Sequence, residues 1–135
     1  GEVDEIWIPF PGPQMKKVTK RLTSSRFLLR YLEVLRPGGS IHLKTDSPFL
    51  YTYTKAFVEL NRQTILVDKD DLYDGAFDDK ILGIKTYYER QWLSRGLTIK
   101  YLHFIPEVPE GGYVEPDIEI EPDSYRSFSR SRRVQ

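Results

Sequence analysis

Three groups of side chains in this sequence are of types that do chemistry together. Asp46 closes the run Ser40-Ile41-His42-Leu43-Lys44-Thr45-Asp46, so an alternating, strand-like segment ends on a carboxylate. Residues 9 to 13 read Pro-Phe-Pro-Gly-Pro, and this stiff loop runs straight into Lys16, Lys17, Lys20 and Arg21. Thr86-Tyr87-Tyr88-Glu89 sets a hydroxyl three residues ahead of a carboxylate. Cations beyond a rigid loop can contact phosphates, and groups carried at adjoining strand ends can converge on one ligand. Each group also has a plainer reading. The prolines end a strand, the basic cluster is a solvated face, Asp46 caps the following helix, and Thr86 with Glu89 forms a capping box. His42 and His103 both fall within strands and read as packing residues.

The bulk composition narrows the partners little. The 20 acidic and 20 basic residues cancel, so net charge selects no ligand. Their distribution is more telling: Lys16, Lys17, Lys20, Arg21, Arg26, Arg30 and Arg36 face only Glu33 between residues 16 and 36. The chain has no cysteine and only two histidines, which argues against a disulfide framework or a zinc site. At 135 residues it is one domain or part of one. No apolar run approaches the roughly 20 residues of a membrane span, and the first residues do not resemble a signal peptide. The expected compartment is the cytoplasm.

The elements that must position these groups follow from hydrophobic period. Val3 to Ile8 reads as a buried strand stopped by the prolines, and a chain opening on such a strand looks as though it begins inside a sheet, with an amino-terminal half missing. Phe27, Leu28, Tyr31, Leu32 and Leu35 recur at helical spacing, with Thr23, Ser24 or Ser25 to cap and Arg36-Pro37-Gly38-Gly39 to stop. Ser40 to Asp46 is the second strand; Ser47 and Pro48 start a helix over Phe49 to Leu60. Thr64 to Val67 is a third strand, followed by an acidic excursion. Thr86 to Leu93 is a helix, and Leu97 to Ile105 a central or covered strand. The order strand, helix, strand, helix implies parallel pairing, which brings strand ends to one rim where open α/β sheets bind ligands. Residues 106 to 135, acidic to Asp123 and then rich in arginine and serine, are expected to be mobile or docked only locally.

Taken together, Phe10-Pro11-Gly12-Pro13-Gln14-Met15-Lys16-Lys17, Pro37-Gly38-Gly39 with His42-Leu43-Lys44-Thr45-Asp46, and Thr86-Tyr87-Tyr88-Glu89 with Arg95-Gly96 resemble the carboxyl-terminal half of the tRNA (guanine-N7)-methyltransferase family. The resemblance covers residues 3 to about 105, and it implies that residues 1–105 are the C-terminal portion of an α/β, Rossmann-like class I methyltransferase domain. It further implies S-adenosylmethionine as methyl donor and tRNA as partner. On this footing Lys16 contacts the substrate, Asp46 holds the guanosine catalytically, and Thr86, Tyr87, Tyr88 and Glu89 complete the substrate pocket. Lys17, Lys20 and Arg21 face RNA.

The chain departs from that family at two points. Gly12 stands where the family's Phe-Pro-Asp-Pro motif has an aspartate, which puts both a catalytic and a cofactor-binding role at that position in doubt. No glycine-rich cofactor loop has a counterpart, so the chain alone is expected to transfer methyl weakly or not at all. A catalytically inactive RNA-binding module and a plain structural fragment remain as alternatives.

Overall fold

A computed structural model describes residues 1–71 and 98–123. In chain order these hold β1 (Val3–Pro9), α1 (Ser25–Val34), β2 (Leu35–Thr45), α2 (Pro48–Leu60), β3 (Thr64–Lys69) and β4 (Lys100–Ile105). The strands form one sheet in the order β1-β2-β4-β3. β1 runs parallel to β2, as the strand–helix–strand order requires, whereas β4 lies antiparallel between β2 and β3. A mixed α/β sheet of this kind fits part of a class I methyltransferase fold.

The period of two along the strands divides the sheet into unlike faces. Ile8 of β1, Ile41 and Leu43 of β2, and Leu102 and Phe104 of β4 pack with Leu28 of α1 and Leu50, Tyr53, Phe57 and Val58 of α2 in one core. Both helices therefore cover the same face. Across the other face, register places Trp7, His42 and His103 in one row. Their rings stack at centroid separations of 3.8 Å for Trp7 on His42 and 3.7 Å for His42 on His103.

Three sequence expectations need correction. β1 is not a buried strand: Ile8 is its one buried residue, and Trp7 is 37% exposed, because β1 pairs only with β2 among the described residues. Arg36-Pro37-Gly38-Gly39 does not form a separate stop. The chain passes from Val34 directly into β2, and those residues are absorbed in an irregularity where Val3 pairs with Leu35 but Glu5 pairs with Ser40. Gly38 takes φ +81, a conformation open to glycine at little cost. Finally, the parallel pairing expected from the element order holds for β1 and β2 but not for β4, which is antiparallel, so its start, Lys100, lies opposite Thr45 at the end of β2.

Residues 106–123 dock on the body through side-chain hydrogen bonds. Asn61 both donates to the Val114 carbonyl and accepts from the Val114 amide, each at 2.8 Å, as a neighbouring strand would. Farther on, Glu115 accepts from the Ser25 amide at 2.8 Å and from the Tyr53 hydroxyl.

Candidate functional site at the rim of the sheet

The loop after β1 is bent by backbone conformation and clamped by one side chain. Phe10 and Gln14 take positive φ values of 50 and 48, uncommon for residues with a side chain. The Phe10 amide donates to the Lys44 carbonyl at 2.7 Å, which carries the parallel pairing one residue past Pro9 and fixes the loop's root beside the end of β2. Arg21 then holds the far side. Its Nε donates to the carbonyls of Pro13 and Gln14 at 3.2 and 3.0 Å, and its Nη2 to that of Met15 at 3.0 Å. The guanidinium lies 4.8 and 4.4 Å from the ring centres of Phe49 and Tyr53. Arg21, expected with the RNA-facing cations, is only 7% exposed and serves as the loop's clamp. Lys16, Lys17 and Lys20 are exposed around the short 3-10 turn Val18–Lys20.

Gly12 sits exposed at the loop's outer turn. A Cβ added there would meet only the Gln14 amide nitrogen at 3.3 Å, the end of a flexible side chain. A Cβ fits here once that side chain gives by a few tenths of an ångström.

Asp46, directly after β2, is 2% exposed. It is not the cap of α2. Ser47 is, its Oγ accepting from the Leu50 amide at 2.9 Å, while the Ser47 amide donates to Thr45 Oγ1 at 3.0 Å. A second carboxylate completes the helix start: Asp123 accepts from the Phe49 amide at 2.9 Å and from the Ser47 hydroxyl. Lys100, 8% exposed, opens β4 opposite Thr45. Burial pushes its pKa down, and the nearby carboxylates of Asp46, Asp71 and Asp123 push the other way. The rim thus gathers a buried cation among carboxylates beside a loop carrying exposed lysines.

The expected site residues divide accordingly. Gly12, Lys16, Lys17, Lys20, Arg21 and Asp46 all belong to the loop and turn at one edge of the sheet, because β1 and β2 are parallel. Thr86, Tyr87, Tyr88 and Glu89 lie outside the described residues. Sequence reasoning missed Glu115 and Asp123. The extended alternation of acid and apolar side chains from Glu115 to Glu121 hints at a docked segment, yet nothing distinguishes these two carboxylates from their exposed neighbours.

On the opposite face, Glu5, His42 and His103 bring their ligand-type atoms within 4.8 Å of one another. Hydrogen bonds and stacking occupy them: His42 pairs with Tyr101 at 2.6 Å and Glu5 at 3.2 Å, and His103 with Ser40 at 2.8 Å. The two imidazole planes differ by 16°, so their in-plane lone pairs run side by side instead of converging on one ion.

A protein-family model described as "Putative methyltransferase" matches residues 1–102. The chain belongs to this methyltransferase family. Among individual proteins, it is 67% identical over 136 aligned positions to a tRNA (guanine-N(7)-)-methyltransferase of Porphyromonas gingivalis, an alignment covering 100% of this chain and 56% of that protein. It is 57% identical over 134 positions to a protein of the same name from Bacteroides thetaiotaomicron, covering 98% and 52% respectively. The chain spans about half the length of the curated relatives it matches. The methyltransferase match takes in the proline loop, the Asp46 turn and the start of β4, and the docked segment 106–123 follows it. No helix among the described residues is long and apolar enough to cross a membrane.

Proposed function

We propose that this chain carries the RNA-facing part of a tRNA (guanine-N7-)-methyltransferase, acting on a guanine of the tRNA variable loop in the cytoplasm. The observation that carries the reading is the junction of the proline loop with the Asp46 turn, joined through the Phe10–Lys44 bond, in a chain so similar to two proteins of that name. Asp46 would accept from the donor groups of the guanine edge, in a buried position where each such bond is stronger than in water. Lys16 would contact the substrate, Lys17 and Lys20 would hold backbone phosphates, and Arg21 would act indirectly by fixing the loop that presents them. Thr86, Tyr87, Tyr88 and Glu89 would close the pocket.

Guanine N7 bears its own lone pair, so methylation asks for orientation and exclusion of water more than for a strong base. S-adenosylmethionine, the donor the family implies, supplies a methyl group on a sulfonium. The described residues do not make a complete site for it: Gly12 offers no side chain, and no glycine-rich turn follows β1 or β2. What these residues do is hold and orient the base.

The test is methyl transfer from tritiated S-adenosylmethionine to unmodified tRNA by the full-length protein carrying this sequence. Asp46→Asn is expected to lower the rate at least tenfold, and Lys17→Ala with Lys20→Ala to weaken tRNA binding and flatten its salt dependence. An Asp46→Asn protein with the wild-type rate overturns the assignment of Asp46.

A further inference from the structure

The last described residue after β4, Asp123, is a buried carboxylate at the rim. Asp123 is 3% exposed although its neighbours Glu121 and Pro122 are exposed. Its three polar groups go to both halves of the site. The carboxylate accepts from the Phe49 amide and the Ser47 hydroxyl, completing the turn that begins at Asp46. Its own backbone amide donates to Met15 Sδ at 3.3 Å, on the loop that Arg21 clamps. Glu115, eight residues earlier, anchors the same segment on the start of α1 and on Tyr53, whose ring also faces the Arg21 guanidinium. The proline loop and the Asp46 turn are therefore joined both through the sheet at Phe10–Lys44 and through Asp123.

We propose that Asp123 is a positioning residue of the methyl-transfer site, acting through the Asp46–Ser47 turn and the Met15 loop to set the distance between the guanine-holding carboxylate and the lysines. This rests on the reading of Asp46 given above. A solvated tail would need no buried carboxylate, and as a cap Asp123 supplies the acceptor for the Phe49 amide that Ser47, already bonded to Leu50, leaves open. The bond to Met15 adds nothing to the helix. Its consequence is to tie the loop to the turn, and displacements of about 1 Å in such arrangements cost up to about a hundredfold in rate.

The experiment uses the full-length protein carrying this sequence, with kcat and KM measured for an unmodified tRNA transcript and hydrogen exchange followed by mass spectrometry. Asp123→Ala is expected to lower kcat/KM at least tenfold and to raise exchange in residues 10–17 and 46–50, with overall tRNA affinity changed less than twofold. Asp123→Asn recovers most of the loss, since its amide oxygen still accepts from Phe49 and its NH2 donates to Ser47. Glu121→Ala, on the exposed side of the segment, leaves all three readouts unchanged. If Asp123→Ala does not fold, Asp123→Glu decides, because it keeps the charge and moves the carboxylate by one methylene; the same tenfold loss is expected. A wild-type kcat/KM for the folded Ala or Glu variant, alongside an Asp46→Asn protein that has lost activity, overturns the positioning role alone. Wild-type activity of Asp46→Asn overturns the underlying assignment, and the positioning role with it.

Discussion

At the scale of single residues, Arg21 shows why charge type alone misleads. In sequence it is the fourth member of a basic cluster; in the fold its guanidinium spans three carbonyls and two aromatic rings. Lysine keeps the charge but not the planar fork, and Arg21→Lys is expected to cost about 2 kcal/mol in urea unfolding, the scale of charge-assisted hydrogen bonds to buried carbonyls. If Arg21 served only as a cation for RNA, the lysine variant would keep wild-type stability. Gly12 is the opposite case, a position whose lack of a side chain the backbone does not demand. Its only near neighbour is the Gln14 side chain, so Gly12→Asp is expected to change stability by less than about 0.5 kcal/mol. A loss above about 1 kcal/mol would show that the loop has no room for it.

At the scale of elements, the two helix starts make a natural comparison. α2 opens on Ser47, whose hydroxyl is satisfied on both sides, by the Leu50 amide and by Asp123. α1 opens on Ser24, whose buried Oγ has no hydrogen-bond partner among the described residues, while the Ser25 amide is taken by Glu115. Ser47→Ala is therefore expected to cost about 1 kcal/mol or more, whereas Ser24→Ala is neutral or mildly stabilising, since it removes a hydroxyl that burial desolvates without repayment. Thermal unfolding of the two variants side by side checks the contrast, and equal losses would contradict it. The strands and both helices were legible because Phe27 to Leu35, Phe49 to Leu60 and Ser40 to Thr45 carry clean periods of 3.6 and 2. The loop and Asp46 were legible as a candidate site for the same reason, since parallel strands end together. Partnership across long separations was not legible. Whether β4 enters parallel or antiparallel, whether β1 is covered, and which acid among residues 107–123 caps which helix depend on contacts between distant segments, and local pattern carries no record of them.

At the scale of the molecule, half-buried titratable groups limit stability at both ends of the pH range. The hydroxyl of Tyr31 donates to the Leu22 carbonyl and that of Tyr113 to Gln63, and burial raises the pKa of each to about 12 from the ordinary 10.0. The folded state thus keeps protons that the unfolded chain gives up, so stability is full below pH 10 and falls as the pH rises toward 12. At the acid end, His103 stacks on His42 and faces Glu5 and Tyr101. Burial first, and then His42, lower its pKa below 6.5, with Glu5 opposing. Here the unfolded chain binds the extra proton, so stability is present above pH 6.5 and declines as the pH falls through the folded value. The urea midpoint is therefore expected to form a plateau between about pH 7 and 10 and to decline on both sides. His103→Gln removes the titrating imidazole while leaving an amide able to meet Ser40, and it should shallow the decline between pH 7 and 5 without altering the alkaline limb. An acid limb of unchanged slope in that variant would place the responsible groups elsewhere in the fold, away from the stacked row that joins β1, β2 and β4.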